Sequence, residues 1–319
     1  MSDHMQKQTI FQVHKPGVLT TFQDLGRYGF QQYGVPVSGA MDHFALQMAN
    51  ILVGNDRDTV CLEVTLVGPV LDVSSPEPIT VAITGAALGP NLNGNPAPMW
   101  QSFKMKRGDR LTFGKHQEGV RAYIAVAGGF DAPAFFQSQS TDVKSGFGQQ
   151  LQRDQSINGF PVKSPSGIGL SPMAIPAYPS AINVSIVEGP HIDHFSKQEL
   201  DRFYSTAHTV DANSNRMGYR LNSEPMIHKQ SVDIWSDAIP FGGIQIPGNG
   251  QPIILMAERQ TTGGYPRIGT VISTDLPKLA QLVPNGEIRF SPISVEAAQE
   301  RAVQMETFLF KMDTFIRNY

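Results

Sequence analysis

The sequence has very little cysteine, with Cys61 the only one among 319 residues. A single cysteine cannot form an internal disulfide, and its neighbours Val60 and Leu62 are apolar, so we interpret Cys61 as a core residue. Long hydrophobic runs are also missing, since no apolar stretch reaches the roughly 18 residues that span a membrane. The polar start, residues 1–8, lacks the apolar core of a signal peptide. These absences predict a cytoplasmic protein that does not enter a membrane.

Charge is scarce and nearly balanced. Charged residues make up 17% of the chain and the formal net charge is -3. No basic run interleaved with aromatic residues is present in the sequence, so nothing indicates a nucleic-acid partner. The composition is that of a globular protein.

Several signatures of cofactor sites are missing. Gly114-Lys115-His116 lacks the upstream glycine of a phosphate loop, and no GxGxxG or GxSxG motif occurs. A biotin-carrying lysine would need a Met-Lys-Met hairpin, which Phe103-Lys104-Met105-Lys106 does not supply. His191 and His194 are too few for a metal site and are more typical of exposed histidines at a helix start. We therefore predict no metal and no covalent biotin.

Glycine and proline are abundant and separate many short apolar runs. The chain has 30 glycines and 23 prolines, a distribution typical of strands and turns. Strands are predicted at 11–14, 60–67, 79–84, 110–113, 120–126, 182–187, 232–235, 253–256, 268–272 and 287–290. Helices are predicted at 44–53 after a capping Asp42, at 190–204, after a capping Asp275, and from near Ser294 to the end. Few helices and many strands indicate a mainly β fold with closed or nearly closed β domains.

Two domains are expected, because 319 residues exceed one ordinary core. Residues 164–180 contain four prolines, and such a stretch is extended and suited to a linker. We therefore predict domains at 1–165 and 166–319.

The run Glu258 to Pro266 gathers charges, an amide, hydroxyls and a glycine pair directly after a predicted strand. Polar side chains at the end of a rigid strand are a common way to build a site, which makes Arg259, Gln260 and Thr262 candidates. The alternative is a tight turn in which Gly263-Gly264 supplies positive φ angles.

Three further clusters carry polar groups. Gln23, Asp24 and Arg27 offer an amide, an acceptor and a bidentate fork, or else an internal Asp24–Arg27 ion pair that pins a loop. Arg216 and Arg220 form an anion clamp or brace a loop.

Asp237 and Gln245 follow another predicted strand. Asp237 is the best candidate for a general base if an apolar wall favours its protonated form. The alternative is an aspartate that caps a turn.

Together, these stretches resemble the biotin-dependent carboxyltransferase-like family, which includes the C subunit of 5-oxoprolinase, the Kip antagonist protein and a segment of urea carboxylase. The resemblance covers about residues 13–290 and rests on several motifs in matching order. They are Gln23-Asp24-Leu25-Gly26-Arg27, Gly34-Val35-Pro36, Ser38-Gly39-Ala40-Met41-Asp42, Ala127-Gly128-Gly129-Phe130, Arg216-Met217-Gly218, Arg220-Leu221, Gly243-Ile244-Gln245-Ile246-Pro247 and Gln260-Thr261-Thr262-Gly263-Gly264-Tyr265-Pro266.

The resemblance implies tandem cyclophilin-like β-barrels and conversion of 5-oxoproline to glutamate. It also implies ATP as a cosubstrate of a complex with an A-type subunit and a B-type, Kip inhibitor-like subunit. Lactam hydrolysis needs an anion-binding arginine, donors to the amide and a base. The predicted catalytic residues are Asp237, Gln245 and Thr262, and the predicted substrate-binding residues are Gln23, Asp24, Arg27, Arg216, Arg220, Arg259 and Gln260.

One region departs from the family pattern. The family reads Gly-Ser-Arg-Ser-Thr and then Gly-Arg-x-Leu-x-x-Gly-Asp, whereas this chain has Gln137-Ser138-Gln139-Ser140-Thr141 and then Gly148-Gln149-Gln150-Leu151-Gln152-Arg153-Asp154. Two arginines and two glycines are replaced, which weakens any anion site there. Two alternatives to the oxoprolinase subunit therefore stay open. They are a regulatory antagonist that binds a Kip-type histidine-kinase inhibitor, and a carboxyltransferase-type subunit that acts on urea or a related amide.

Overall fold

The computed structural model describes residues 6–318, which fall into two compact units. Unit 1 comprises the described part of Met1–Arg27 together with Asp42–Tyr178 and the described part of Phe308–Tyr319. Unit 2 comprises Tyr28–Met41 and Pro179–Thr307. The chain passes from unit 1 to unit 2 at residues 178–179, inside the proline-rich stretch 164–180. The domain limits 1–165 and 166–319 stay a prediction, because the units also include short segments from the other half of the chain.

Unit 1 contains two antiparallel sheets around one core. The first has six strands in the order β11-β1-β4-β9-β6-β7, and the second has five in the order β2-β3-β10-β5-β8. The strands are β1 Gln8–Lys15, β2 Leu19–Gln23, β3 Cys61–Thr65, β4 Val70–Val73, β5 Ile79–Ala87, β6 Pro90–Leu92, β7 Asn95–Pro96, β8 Ser102–Met105, β9 Arg110–Phe113, β10 Glu118–Val126 and β11 Ser156–Gly159. Buried residues of both sheets, such as Leu71 and Ile124, share one hydrophobic cluster, so the two sheets form a single core.

Unit 2 is built on a closed barrel of seven strands in the order β12-β19-β16-β17-β14-β13-β20. A separate pair, β15-β18, lies outside the barrel strands. The strands are β12 Ala181–Glu188, β13 His208–Val210, β14 Gly218–Asn222, β15 Asp237–Ala238, β16 Gly243–Gln245, β17 Ile253–Leu255, β18 Thr262–Gly263, β19 Arg267–Val271 and β20 Glu287–Pro292. The β12 and β20 strands run parallel, and this contact closes the barrel. The expectation of a mainly β fold with barrel architecture is confirmed.

Four α-helices accompany the strands in the described residues: α1 His43–Val53, α2 Lys197–Ser205, α3 Leu276–Ala280 and α4 Val295–Arg317. The predicted cap of α1 is confirmed, since the Asp42 carboxylate accepts a hydrogen bond from the Ala45 N–H at 2.9 Å. Gly54 ends α1 with a φ of 79°. The C-terminal helix is also confirmed, and no described helix is long and apolar enough to cross a membrane.

The structure corrects three details of the predicted elements. Residues 232–235 form no strand, because this segment is exposed and Trp235 is 97% exposed. The predicted helix 190–204 is interrupted, since Phe195 is extended and the Ser196 hydroxyl starts α2 by accepting from the Glu199 N–H. Asp275 does not cap α3 with its side chain, which instead accepts from the Ser185 N–H at 2.8 Å.

Cys61 is fully buried in unit 1, as predicted from its apolar neighbours. Burial raises the pKa of the Cys61 thiol, so the nucleophilic thiolate is disfavoured. Cys61 is therefore a packing residue.

His208 makes the stability of unit 2 depend on pH. It is 2% exposed, and its Nε2–H donates to the Phe203 carbonyl at 3.0 Å. Burial lowers the pKa of His208 below the usual 6.5. The unfolded chain therefore binds the proton more readily, so this stabilisation is complete above about pH 6.5 and is lost as the pH falls through 6.5 toward the folded-state pKa.

We expect a His208→Gln variant, whose amide can keep the Phe203 hydrogen bond but cannot titrate, to lose this pH dependence. The free energy of unfolding should be measured by urea denaturation at pH 8 and pH 5.5. The wild type should lose more stability on acidification than the variant, with a slope of up to about 1.4 kcal/mol per pH unit for one proton. Equal losses in the two proteins would contradict the assignment.

Candidate functional site

The Asp24 carboxylate holds residues 138–140 of unit 1 in place, and this segment forms one wall of a cavity. It follows β2 and accepts hydrogen bonds from the backbone N–H of Gly26 at 2.7 Å and of Gln139 at 2.6 Å. It also accepts from the hydroxyls of Ser138, at 2.8 Å, and of Ser140. A carboxylate with this many donors fixes its partners strongly. Asp24 therefore holds the backbone of residues 138–140 in one shape.

Arg27 supports the same wall from behind. Its side chain is 1% exposed and donates to the carbonyl oxygens of Ser140 and of Phe135, the latter at 3.5 Å. Its guanidinium also lies over the Phe147 ring, 4.8 Å from the centroid. Arg27 therefore holds residues 135–147 through backbone carbonyls and an aromatic ring, and these contacts differ from the Asp24–Arg27 ion pair that was predicted to pin the loop.

Gln23 is buried beside this wall. Its amide nitrogen donates to the Thr141 carbonyl and to the Thr21 hydroxyl, both at 3.0 Å. Its Oε1 has no partner among the described residues. Gln23, Asp24 and Arg27 are therefore brought together as the sequence predicted, with contacts that position other residues.

This wall encloses a cavity of about 310 Å³ in unit 1. The lining residues are Phe22, Pro133, Gln139, Ser140, Thr141, Gly146, Phe147, Gly148, Gln149 and Gln155. The cavity therefore lies in the region that departs from the family pattern. Gln137 and Asp154 have φ angles of 62°, the left-handed conformation that glycine adopts most easily. The backbone thus keeps a glycine-like shape, and the departure changes the side chains.

In unit 2, the β15-β18 pair assembles the predicted catalytic residues. Asp237 lies opposite Gly263, and Ala238 lies opposite Thr262. The Gln245 side chain is 2.8 Å from the position that a Cβ at Gly263 would take. Asp237, Thr262 and Gln245 therefore lie around one short ladder.

The glycine pair does not form the expected turn. Gly263 and Gly264 are not among the glycines with positive φ, so the turn interpretation of this stretch is wrong. A Cβ at Gly263 would meet Ile239 Cδ1 at 2.6 Å and Gln245 Nε2 at 2.8 Å, so the ends of these two side chains would have to shift. The absence of a side chain at Gly263 lets the Ile239 and Gln245 side chains lie close to its backbone.

Asp237 lies in a polar setting. Its side chain is 50% exposed and lies 3.5 Å from Arg267 Nη2. The apolar wall that was the condition for a general base is therefore not met at Asp237. Arg267 also donates to the Ala238 carbonyl at 2.8 Å, so it fixes β15 at the end of the ladder.

His191 is a neighbour that the sequence did not predict for this cluster. Its Nδ1 accepts from the Arg267 N–H at 3.2 Å, which places the proton of the neutral ring on Nε2. Burial, together with nearby His194 and Arg267, lowers the pKa of His191. At neutral pH it is therefore an uncharged hydrogen-bond donor. From the sequence, His191 and His194 were interpreted as exposed histidines at a helix start, which gave no link to Asp237.

The candidate arginines differ in whether a carboxylate lies beside the guanidinium group. Arg216 Nε lies 2.5 Å from Glu258, and its Nη2 donates to the Gly39 carbonyl at 2.6 Å. Arg216 therefore braces residues of unit 2, as one of its two interpretations predicted. Arg220 is exposed on β14, and Gln260 is exposed before β18.

Arg259 is a buried cation without a carboxylate partner among the described residues. It is 8% exposed, and it donates to the carbonyls of Ile239 at 3.0 Å and Met256 at 3.4 Å. Its guanidinium lies 5.4 Å from the centre of the Phe241 ring. Burial lowers the pKa of Arg259 to about 10, and the nearby Tyr28 opposes this effect. Because a buried charge is costly unless it is paired, Arg259 is suited to bind an anionic ligand.

We expect Gly263→Ala to destabilise unit 2 by about 0.5–1.5 kcal/mol, because the ends of the Ile239 and Gln245 side chains must shift to make room for the added methyl. Gly264→Ala is the matched control, since its Cβ would meet nothing closer than 3.4 Å. The free energy of local opening, measured by amide hydrogen exchange in β16 and β18, should fall only in the first variant. Equal effects at both glycines would show that the close approach is not required.

Comparison with known proteins gives consistent matches over nearly the whole chain. The family model "Carboxyltransferase domain, subdomain A and B" matches residues 33–292. The chain is 36% identical to the C subunit of 5-oxoprolinase from Escherichia coli, over 91% of this chain and 93% of that protein. It is 34% identical to the same-named protein of Haemophilus influenzae, again over 91% and 93%. A urea amidolyase of Lachancea kluyveri is 30% identical over 92% of this chain but only 17% of its own length.

Solved structures show the same fold. The crystal structure of TTHA0988 is 30% identical in sequence, with a TM-score of 0.80. The match covers 89% of this chain and 55% of that protein, so this chain spans about half of its length. The urea amidolyase of K. lactis has 28% identity and a TM-score of 0.86, over 96% of this chain and 20% of that protein.

Proposed function

We propose that this chain, which belongs to the family of carboxyltransferase domains with subdomains A and B, is the C subunit of a bacterial ATP-dependent 5-oxoprolinase. In this role it acts with an A-type and a B-type, Kip inhibitor-like subunit to convert 5-oxo-L-proline to L-glutamate in the cytoplasm. The observation that carries the proposal is the 36% identity to a protein of this name over 93% of its length.

The proposed chemistry must open a lactam, which amide resonance makes resistant to water. ATP supplies activation by phosphorylating the lactam oxygen. Water then attacks the ring carbon, and the ring C–N bond breaks as the nitrogen gains a proton, which leaves an acyl phosphate on the side-chain carboxyl group. A second water hydrolyses this acyl phosphate to L-glutamate and inorganic phosphate. The chain has no standard phosphate loop, so we assign the binding of ATP to the complex as a whole.

Unit 2 offers groups for three of the required tasks. Arg259 is the preferred ligand for the substrate carboxylate or phosphate, because Arg216 is already paired with Glu258. Gln245 and Thr262 orient the lactam amide from either side of the β15-β18 pair. Asp237 accepts a proton from the attacking water, since an ionised carboxylate is a competent base when it is positioned on the water.

Replacing Arg259 tests the anion-binding assignment. Arg259→Gln keeps a donor but removes the charge, so we expect kcat/KM for 5-oxoproline to fall by about tenfold or more, the effect of losing a charge-assisted hydrogen bond. Glutamate release should be measured after mixing the purified chain with the candidate A and B subunits. Arg289→Gln is the control, because Arg289 is an exposed arginine on β20 of the same unit and has no predicted role in the site.

Retention of full kcat/KM by Arg259→Gln would remove Arg259 from the site. No glutamate release by an intact wild-type complex would reject the oxoprolinase proposal itself. A tight complex without turnover would favour the regulatory antagonist.

Asp237→Asn tests the base. We expect kcat to fall by about 10²–10⁴ with little change in KM, the usual effect of losing general-base catalysis. Asp233→Asn is the control, since Asp233 is exposed and only four residues away. Full activity of Asp237→Asn in the assembled complex would exclude Asp237 as the base.

The second candidate function is carboxyl transfer to urea or a related amide. It is favoured by the 30% identity to a urea amidolyase, although this chain corresponds to only 17% of that protein. The reaction requires a biotin carrier in trans. Transfer of labelled carboxyl from a carboxylated carrier to urea would establish it.

A further inference from the structure

The segment that follows β12 holds the start of β19 through His191. Gly189 N–H donates to the Ile268 carbonyl at 2.8 Å, and His191 N–H donates to the Arg267 carbonyl at 3.4 Å. The His191 ring makes a bond in the other direction, because its Nδ1 accepts from the Arg267 N–H at 3.2 Å. His191 therefore contacts both backbone polar groups of Arg267, the carbonyl through its own N–H and the N–H through its ring.

Arg267 carries this contact to the candidate site. It lies opposite Gln245 in the β16-β19 ladder. Its Nη1 donates to the Ala238 carbonyl at 2.8 Å, and its Nη2 lies 3.5 Å from the Asp237 carboxylate, which also accepts from the Ala238 N–H at 2.8 Å. Both residues of β15 are exposed, so little packing fixes them. The Arg267 guanidinium therefore helps to set where the Asp237 carboxylate lies.

The bond from the Arg267 N–H to the His191 ring exists in only one charge state of that ring. A neutral imidazole whose Nε2 carries the proton accepts at Nδ1, whereas an imidazolium has a proton on both nitrogens and cannot accept. Protonation of His191 therefore turns an attractive contact into one between two N–H donors. It also adds a positive charge beside Arg267.

The surroundings of His191 favour the neutral ring. Burial is the largest effect and lowers the pKa of His191 from the usual 6.5, as do the neighbouring His194 and Arg267. The His194 ring centre lies 5.7 Å from that of His191, and Arg267 lies on β19. Asp237 on β15 opposes these effects. The ring is therefore neutral at pH 7 and becomes charged as the pH falls below 6.5.

We propose that His191 is a positioning residue for Asp237, because its neutral ring holds the Arg267 backbone and Arg267 in turn holds the carboxylate that takes the proton from water. The identity of Asp237 as the base rests on the proposed function, whereas the chain of contacts is a property of the folded protein. His191 acts on the base through one intermediate residue. Protonation of its ring releases the start of β19 and with it the position of the carboxylate.

NMR titration of the chain alone tests this link. In the wild type, we expect the signals of the Asp237 carboxyl carbon and the Arg267 amide to show a step that coincides with the titration of the His191 ring. His191→Asn is the sharpest variant, since the asparagine Oδ1 can take the place of Nδ1 as acceptor but cannot titrate. The coincident step should vanish from both signals in this variant.

His194→Asn is the matched control. It removes the neighbouring imidazole, whose Nδ1 lies 3.2 Å from the Ser231 carbonyl oxygen and makes no bond to Arg267. The coincident step should therefore remain at Asp237 and Arg267 in this variant. The midpoint of thermal unfolding checks that each variant folds.

The pH profile of glutamate release by the assembled complex distinguishes positioning from structural support. His191→Asn should keep kcat at pH 8 and should lose the fall in kcat that accompanies protonation of His191 in the wild type. His191→Leu has no acceptor, so we expect its kcat to fall by about tenfold or more at every pH, with little change in KM, as for a displaced catalytic group. A purely structural role would lower stability in His191→Leu without changing the shape of the profile in His191→Asn.

The proposal is overturned if the Asp237 and Arg267 signals of the wild type do not follow the His191 titration, or if His191→Asn keeps the coincident step. A folded His191→Leu variant with full kcat in an active complex would also overturn it. If an intact wild-type complex releases no glutamate, the oxoprolinase assignment fails. The titration of the chain alone then still decides whether His191 positions Asp237.

Discussion

The shape of the cavity wall formed by residues 138–140 in unit 1 depends on one carboxylate, that of Asp24. Asp24 follows β2 and satisfies four donors, three of which belong to residues 138–140 of a segment more than 100 positions away. Sequence-distant loops rarely hold a shape unless their backbone groups have partners. Because Asp24 supplies these partners, the irregular stretch can present glutamine side chains at fixed positions. The cavity wall is thus held in place by a residue that directly follows the regular strand β2.

In unit 2 the corresponding constraint is steric. The backbone of β18 lies close to the Ile239 and Gln245 side chains, because residue 263, which pairs with Asp237 of β15, is a glycine. Hydrogen bonds between two very short strands contribute little alone, and the pair therefore relies on this close packing and on Arg267, which bonds β15. Polar groups that are widely spaced in the sequence are brought together in this way.

The sequence predicted the regular elements better than the site. Nine of the ten strands predicted from short apolar runs are present, although eleven of the twenty described strands were not predicted. Asp42 and Gly54 marked the ends of α1, because those signals are local. Segment 232–235 misled the prediction because apolar residues there are exposed, which only tertiary structure decides. Gly263 looked like a turn residue for the same reason, since a sequence cannot show which atoms approach a backbone.

The roles of the arginines could not be predicted for a related reason. Arg216 and Arg259 carry the same guanidinium group. Only their surroundings distinguish Arg216, which braces a loop, from Arg259, the proposed anion ligand. Glu258 precedes Arg259 in the chain, yet it pairs with Arg216. Adjacent residues in an irregular segment point in different directions, so sequence neighbours are poor guides to ion pairs. Asp24 and Arg27 were correctly grouped, but their contacts with residues 135–147 were not foreseeable.

The burial of Arg259 also links ligand binding to folding. A guanidinium that is removed from water without a carboxylate partner raises the free energy of the folded ligand-free chain. Under the proposed assignment, an anion that binds Arg259 in the folded chain and not in the unfolded chain offsets this cost, so the free energy of unfolding of unit 2 rises with the concentration of that anion.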